Sequence, residues 1–248
     1  MAGALRGGEV EIGSNITDLM GVFLTHAHGD HFAAAGTLHC NHGIPVYVNP
    51  DTHVAIRTVA SNRSYGRIRH VLPIPQSLGR IGIETFPTRH EVPGGKTCGF
   101  VITIAGSRIG VMTDTGTVTP EALQALTGCR VLVVEANYSD GIMSDKLQDP
   151  SFRSDWYYLR WIDSDTGHLS NRQCAEFLER AITSDTEHVF LAHLSNNHHD
   201  PRADNNSYDR ALQSITRHLK RKNVRIPAFH QTYRRDATEG RISAIIRF

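Results

Sequence analysis

The stretch Gly21-Val22-Phe23-Leu24-Thr25-His26-Ala27-His28-Gly29-Asp30-His31 decides the reading of this chain. An apolar run leads into three imidazoles and one carboxylate within six positions, a density that a metal explains better than a surface loop. In extended backbone alternate side chains point the same way, so His26 and His28 can hold one ion from one side. The chain turns at Gly29, and Asp30 and His31 can then face a second ion. Neutral imidazole and carboxylate suit zinc and also accept manganese or iron.

Further along, polar residues stand where strand-like runs end. His90 follows the run over residues 81–86, within Pro87-Thr88-Arg89-His90-Glu91. Asp114 follows Gly110-Val111-Met112-Thr113 and opens Asp114-Thr115-Gly116. Its two oxygens can bridge two cations, and its plainer reading is a turn-forming aspartate. A buried strand over residues 130–135 leads into Glu135-Ala136-Asn137-Tyr138. In Gly167-His168-Leu169-Ser170-Asn171-Arg172-Gln173, Ser170 and Gln173 form a capping box. His168 stands just ahead of that helix start, where free N–H groups favour an anion. His193 ends the last strong strand, residues 187–192.

The string from His26 to His31 resembles the signature of the metallo-β-lactamase superfamily. The stretches around Asp114, His168 and Leu191-Ala192-His193-Leu194-Ser195 resemble later motifs of its YycJ/WalJ-like branch. The resemblance implies an α/β fold, the four-layer αββα sandwich, as a single domain over residues 1–248. It assigns His26, His28 and His90 to one divalent ion and Asp30, His31 and His193 to a second, with Asp114 between them. The expected cofactors are therefore two ions, zinc or manganese. Asp30 would orient a bridging hydroxide, and His168 would face substrate, as acid or phosphate contact. Asn137 would orient a ligand or meet substrate, and a plain strand-end hydrogen bond fits it as well. The family opens with strands joined by a Gly/Ser-rich turn and an Asp-x-Gly turn. Only 25 residues precede His26 and neither turn is present, so shortened N-terminal strands are expected.

The expected activity is phosphodiester hydrolysis on nucleic acid, with single-stranded DNA or RNA as partner and attack from a 5′ end. Two other classes fit the same centre: hydrolysis of thioesters, lactones or lactams, and a non-catalytic metal-binding protein. His168 and a basic C-terminal third favour the first. From residue 202 onward there are 11 Lys and Arg against 4 Asp and Glu, while the whole chain carries only +1. Such a tilt can steer polyanions, although more often it is a solvated helix face.

Four well-separated cysteines without a C-x-x-C pair argue against disulfides and point to a reducing cytoplasm. Cys40, Cys129 and Cys174 read as packing thiols. No apolar run approaches the roughly 18 residues that span a bilayer, and no signal-peptide core is visible. With 248 residues, 40% of them hydrophobic, the chain supports a sizeable core.

The remaining pattern sets the expected elements. A helix is expected over residues 32–42, ended by Gly43, and a second helix capped by Asp51 runs to about residue 60. Strands are expected over residues 45–48, 68–74, 81–86, 98–104, 108–112 and 241–248. Thr119 and Pro120 start a helix, and residues 207–222 form an amphipathic one. His39, His42 and His53 read as surface or supporting residues, and His198 and His199 as loop residues. Trp156, Tyr157, Tyr158 and Trp161, interleaved with Arg153 and Arg160, suit either stacking on unpaired bases or a helix burying its aromatics.

Overall fold

The computed structural model describes residues 15–58, 65–68, 71–195 and 206–231. Two sheets carry the fold. The smaller pairs β1 (Val22–Leu24) with β2 (Val46–Val48) in parallel. The larger has seven strands in sequence order: β3 (Ser77–Leu78), β4 (Ile81–Pro87), β5 (Cys98–Ile104), β6 (Ser107–Met112), β7 (Val131–Glu135), β8 (His188–Ala192) and β9 (Ala228–Gln231). β3 to β6 are antiparallel, whereas β6 to β9 are all parallel.

Around the small sheet lie α1 (Gly29–Phe32), α2 (Ala35–His42) and α3 (Pro50–Thr58). Leu24, Phe32, Ala35, Val46, Val48 and Ile56 share one core there. The large sheet is covered by α4 (Pro120–Leu126), α7 (Asn171–Ala181) and α8 (Tyr208–Arg221). Between β7 and α7 lie α5 (Asp140–Gln148) and α6 (Trp156–Ile162), with a separate small core. Phe23 of β1 meets Phe100 of β5 edge-on at 5.9 Å, so the two sheets face each other. The layers are thus helix, sheet, sheet, helix, and among the described residues the first sheet has two strands.

Local signals explain most boundaries. Gly43 ends α2 in the left-handed region at φ 70°. Thr119 caps α4 through the N–H of Ala122, with Pro120 at the first helical position. Ser170 and Gln173 close both bonds of the capping box on α7. α8 buries Ala211, Ile215 and Leu219 at intervals of four, and Ile215 and Leu219 each stabilise the fold by about 1.5–3 kcal/mol.

Other expectations need correction. Residues 32–42 are not one helix, because the chain breaks between α1 and α2. Asp51 lies inside α3, and Asn49 instead accepts from the Asp51 N–H. Within residues 68–74, the described positions 68 and 71–74 contribute one bridge, from Leu72 to Tyr47 of β2, rather than a strand. Cys40 is exposed, whereas Cys129 and Cys174 are buried thiols. The expected strand over residues 241–248 lies outside the described residues, as do His198 and His199. No helix among the described residues is long and apolar enough to cross a membrane.

Candidate metal centre

The strand directions decide where the site lies. β4 and β6 are both antiparallel to β5 and so run the same way, and β6, β7 and β8 are parallel. The carboxyl ends of β4, β6, β7 and β8 therefore open on one edge, the usual place for a site in such sheets. Each end supplies a functional side chain: His90 just beyond β4, Asp114 just beyond β6, Glu135 closing β7 and His193 following β8. The Cys98 N–H, at the start of β5, donates to the Thr25 carbonyl at 3.3 Å and holds the end of β1 at the same edge. The motif from His26 to His31 is thereby brought onto the large sheet.

All seven expected ligands converge. His26, His28 and His90 have ligand atoms within 4.8 Å of one another, and so have Asp30, His31 and His193. In the first group, His28 Nδ1 lies 3.2 Å from Nε2 of both His26 and His90. Asp114 stands between the groups: Oδ2 is 3.5 Å from His31 Nε2, and Oδ1 is 3.3 Å from His193 Nε2 and 3.9 Å from His90 Nε2. Asp30 is the exposed member, its Oδ2 3.6 Å from His31 Nε2.

These residues fit divalent cations. Asp114 is 2% exposed, yet Oδ2 accepts no hydrogen bond among the described residues. A buried carboxylate oxygen without a donor is costly unless a cation meets it. Both Asp114 and His193 hold positive φ, 58° and 52°, a left-handed conformation uncommon for non-glycine residues.

A supporting layer fixes the imidazoles. Thr25 Oγ1 lies 2.9 Å from His26 Nδ1. His90 Nδ1 bonds the Gly167 carbonyl at 2.7 Å, which leaves Nε2 for the centre. Glu135 Oε1 accepts from Nδ1 of His168 at 2.7 Å and of His193 at 2.8 Å, while Oε2 accepts the Thr115 N–H at 3.0 Å. Burial alone would raise the Glu135 carboxyl, but the His168 and His193 donors outweigh it and hold it down to about 2. Burial also opposes charge on His193, yet Glu135 and Asp114 lift it to about 9. His26 is pushed down to about 2 by burial and by the neighbouring histidines. Burial likewise lowers His31 and His90.

His168 is 8% exposed and touches the centre through His90, their rings 4.7 Å apart. Its atoms group with those of His90 and Asp114 within 4.8 Å. Asn137 is buried, and its Nδ2 donates to the His193 carbonyl at 2.9 Å, beyond the end of β8. Glu135 was not singled out from sequence. Its signal was a carboxylate ending an otherwise apolar strand, Val131-Leu132-Val133-Val134-Glu135. The Gly167 carbonyl carried no side-chain signal.

Comparison with known proteins bears on the family and the fold. The family model described as "Beta-lactamase superfamily domain" matches residues 5–194. The exodeoxyribonuclease YycJ of Bacillus anthracis is 28% identical over 210 residues, covering 84% of this chain and 74% of the relative. Among solved structures, the metallo-beta-lactamase fold protein YhfI of Bacillus subtilis superposes with a TM-score of 0.55 at 18% identity, over 87% and 76% of the two chains. Human tRNase Z, short form, gives 0.52 at 16% identity, over 75% and 76%. These two likenesses support the four-layer metallo-β-lactamase fold. The chain therefore belongs to the beta-lactamase superfamily, as a YycJ/WalJ-like member of its metal-dependent hydrolases.

Proposed function

We propose that the protein is a dinuclear phosphodiesterase that degrades single-stranded DNA from an end. The observation that carries this reading is the unpartnered buried Oδ2 of Asp114, flanked by two converging donor sets. His26, His28 and His90 would hold one ion, Asp30, His31 and His193 the other, with Asp114 between. Bound there, zinc or manganese would supply positive charge to the phosphoryl group and lower the pKa of a water toward neutrality.

The chain's own residues do the rest. Glu135 accepts from His168 Nδ1, which orients the ring so that Nε2 faces the reaction; in the imidazolium form, the Nε2 proton would be the one given to a leaving oxygen or shared with a phosphate oxygen. Asp30, at the exposed rim, would orient the attacking water. Asn137 and Glu135 together hold the backbone and ring of His193. The likeness to an exodeoxyribonuclease supports nucleic acid as the substrate. The free thiols suit a reducing cytoplasm.

The test is degradation of end-labelled single-stranded DNA and RNA by protein loaded with Mn²⁺ or Zn²⁺, beside Asp30→Asn. Metal-dependent cleavage of DNA that falls at least about 100-fold in the variant is expected. Protein that binds two ions yet cleaves neither polymer would overturn the reading.

A further inference from the structure

α6 runs beside the candidate centre and carries four aromatic rings. Sequence spacing left open whether they are buried. The structure buries the aliphatic Leu159 and Ile162 against Tyr138, Met143 and Phe152, and turns three rings outward. Trp156 is 38% exposed, Tyr157 82% and Tyr158 62%. The fourth ring, Trp161, is half-buried and faces inward, 5.5 Å from the ring of His90 and 5.4 Å from that of His168. Tyr158 stacks on Trp161 at 5.8 Å with 25° between the planes. A continuous row of rings thus leads from His168 through Trp161 to the open face of Tyr158. Beside it, Arg160 lies over Trp156 at 5.1 Å, and Trp156 meets Tyr157 edge-on.

We propose that this row is a stacking platform for unpaired bases of the polymer whose backbone enters the candidate centre, with the outer face of Tyr158 as its principal surface. The proposal rests on the phosphodiesterase reading and adds how single strands are selected. Two observations favour bases over another occupant. The exposed residues are planar tyrosines and tryptophan with a guanidinium among them, the composition that stacks on bases. The row is also continuous with His168, so a base seated on Tyr158 belongs to a strand already at the centre.

Charge alone would not hold a polyanion here. Arg153 and Arg160 stand against Asp155, Asp163 and Asp165, with Asp163 taken up by the Tyr138 hydroxyl and Asp165 by Thr117. The platform therefore works through ring faces, and its contribution is only weakly sensitive to salt. Duplex DNA, whose bases are paired and stacked, gains nothing from it.

The test is fluorescence anisotropy with a labelled short thymidine oligomer carrying nuclease-resistant phosphorothioate linkages, beside the same backbone with abasic sugars. The protein is metal-loaded. Wild-type protein should prefer the base-bearing strand. Tyr158→Ala should weaken that strand about ten-fold and the abasic one hardly at all, while Tyr158→Phe retains wild-type affinity. Tyr158 is largely exposed, so its loss leaves the core intact.

Equal loss on both strands, or no loss on either, overturns the platform. If wild-type protein binds neither strand, both the platform and the nuclease reading fail. If it binds and degrades DNA with Tyr158→Ala unchanged, only the platform fails. A concentration-dependent dimer that Tyr158→Ala abolishes, with strand affinity unchanged, would assign the face to a second copy of the chain instead.

Discussion

The carboxylate of Glu135 lies 2.7 Å from Nδ1 of His168, and it is wholly buried. The same oxygen serves His193 at 2.8 Å. One carboxylate thus sets the tautomer of a candidate ligand and of the candidate acid together. Register explains how. Glu135 pairs with Ala192 across β7 and β8, so the residue after Ala192 emerges beside it.

Replacing Glu135 by Gln keeps the shape and removes the charge. Both imidazoles then lose a charge-assisted bond, and the site loses its fixed tautomers. The expected result is a 10- to 100-fold weaker hold on zinc, about the usual effect of losing such a partner, read by competition with a chromophoric chelator. Unchanged zinc affinity would show that Glu135 is a packing residue only.

The metal-free protein should lose stability on acidification from pH 7 to pH 5. Burial holds His26, His31 and His90 below the ordinary histidine value, so they stay neutral in the fold while their unfolded counterparts take up protons below about 6.5. His53 and His230, also lowered chiefly by burial, act in the same direction. His193 is raised to about 9, so its contribution is complete only well below 6.5 and is lost progressively as pH rises from about 6.5 through 9. Glu135, held down to about 2, contributes above about 4.5 and fades only as pH falls toward 2. Across the window Glu135 changes little, and the gain at His193 as pH falls from 7 offsets only part of the loss from the histidines held neutral by burial. A melting temperature of metal-free protein that is level or higher at pH 5 contradicts this account.

Zinc should stabilise the fold strongly, because it meets the orphaned oxygen of Asp114. At a free concentration about 1,000-fold above its dissociation constant, zinc adds about 4 kcal/mol, or roughly 10 °C in melting temperature for a domain of this size. His90→Ala and His193→Ala each disrupt one donor set. Titration calorimetry should then show one ion where the wild type shows two. Two ions in either variant would mean that the donor sets are wrongly divided.

The candidate ligands stand out in the sequence because most sit within a local string or at a strand end. The spacing from His26 to His31 needs no tertiary information, and His90, Asp114 and His193 each terminate an apolar run. Glu135 was not legible as their support, since its partners lie 33 and 58 residues away and meet it only through the register of β7 and β8. The orientation of α6 was equally hidden. Its spacing allowed either face inward, and the choice is made by Leu159 and Ile162 packing against Tyr138, Met143 and Phe152. β9 escaped notice because Ala228-Phe229-His230-Gln231 has no apolar run of its own, and only pairing with β8 makes it a strand.

Gly167 offers a separate handle on the centre, through backbone alone. A Cβ there would lie 2.1 Å from the Trp161 carbonyl oxygen and 2.3 Å from that of Ile162. Both are backbone atoms at the end of α6, so the segment must move rather than a side chain turn aside. The Gly167 carbonyl that holds His90 Nδ1 would move with it. Gly167→Ala should cost about 1–3 kcal/mol in chemical denaturation and also weaken zinc binding. Gly141, near the start of α5, is the control, because a Cβ there meets nothing closer than the Ser139 hydroxyl at 4.0 Å. Gly141→Ala should leave both stability and zinc affinity intact. Stability lost in Gly167→Ala with zinc affinity unchanged would separate the packing of α6 from the orientation of His90, and would remove the Gly167 carbonyl from the account of the site.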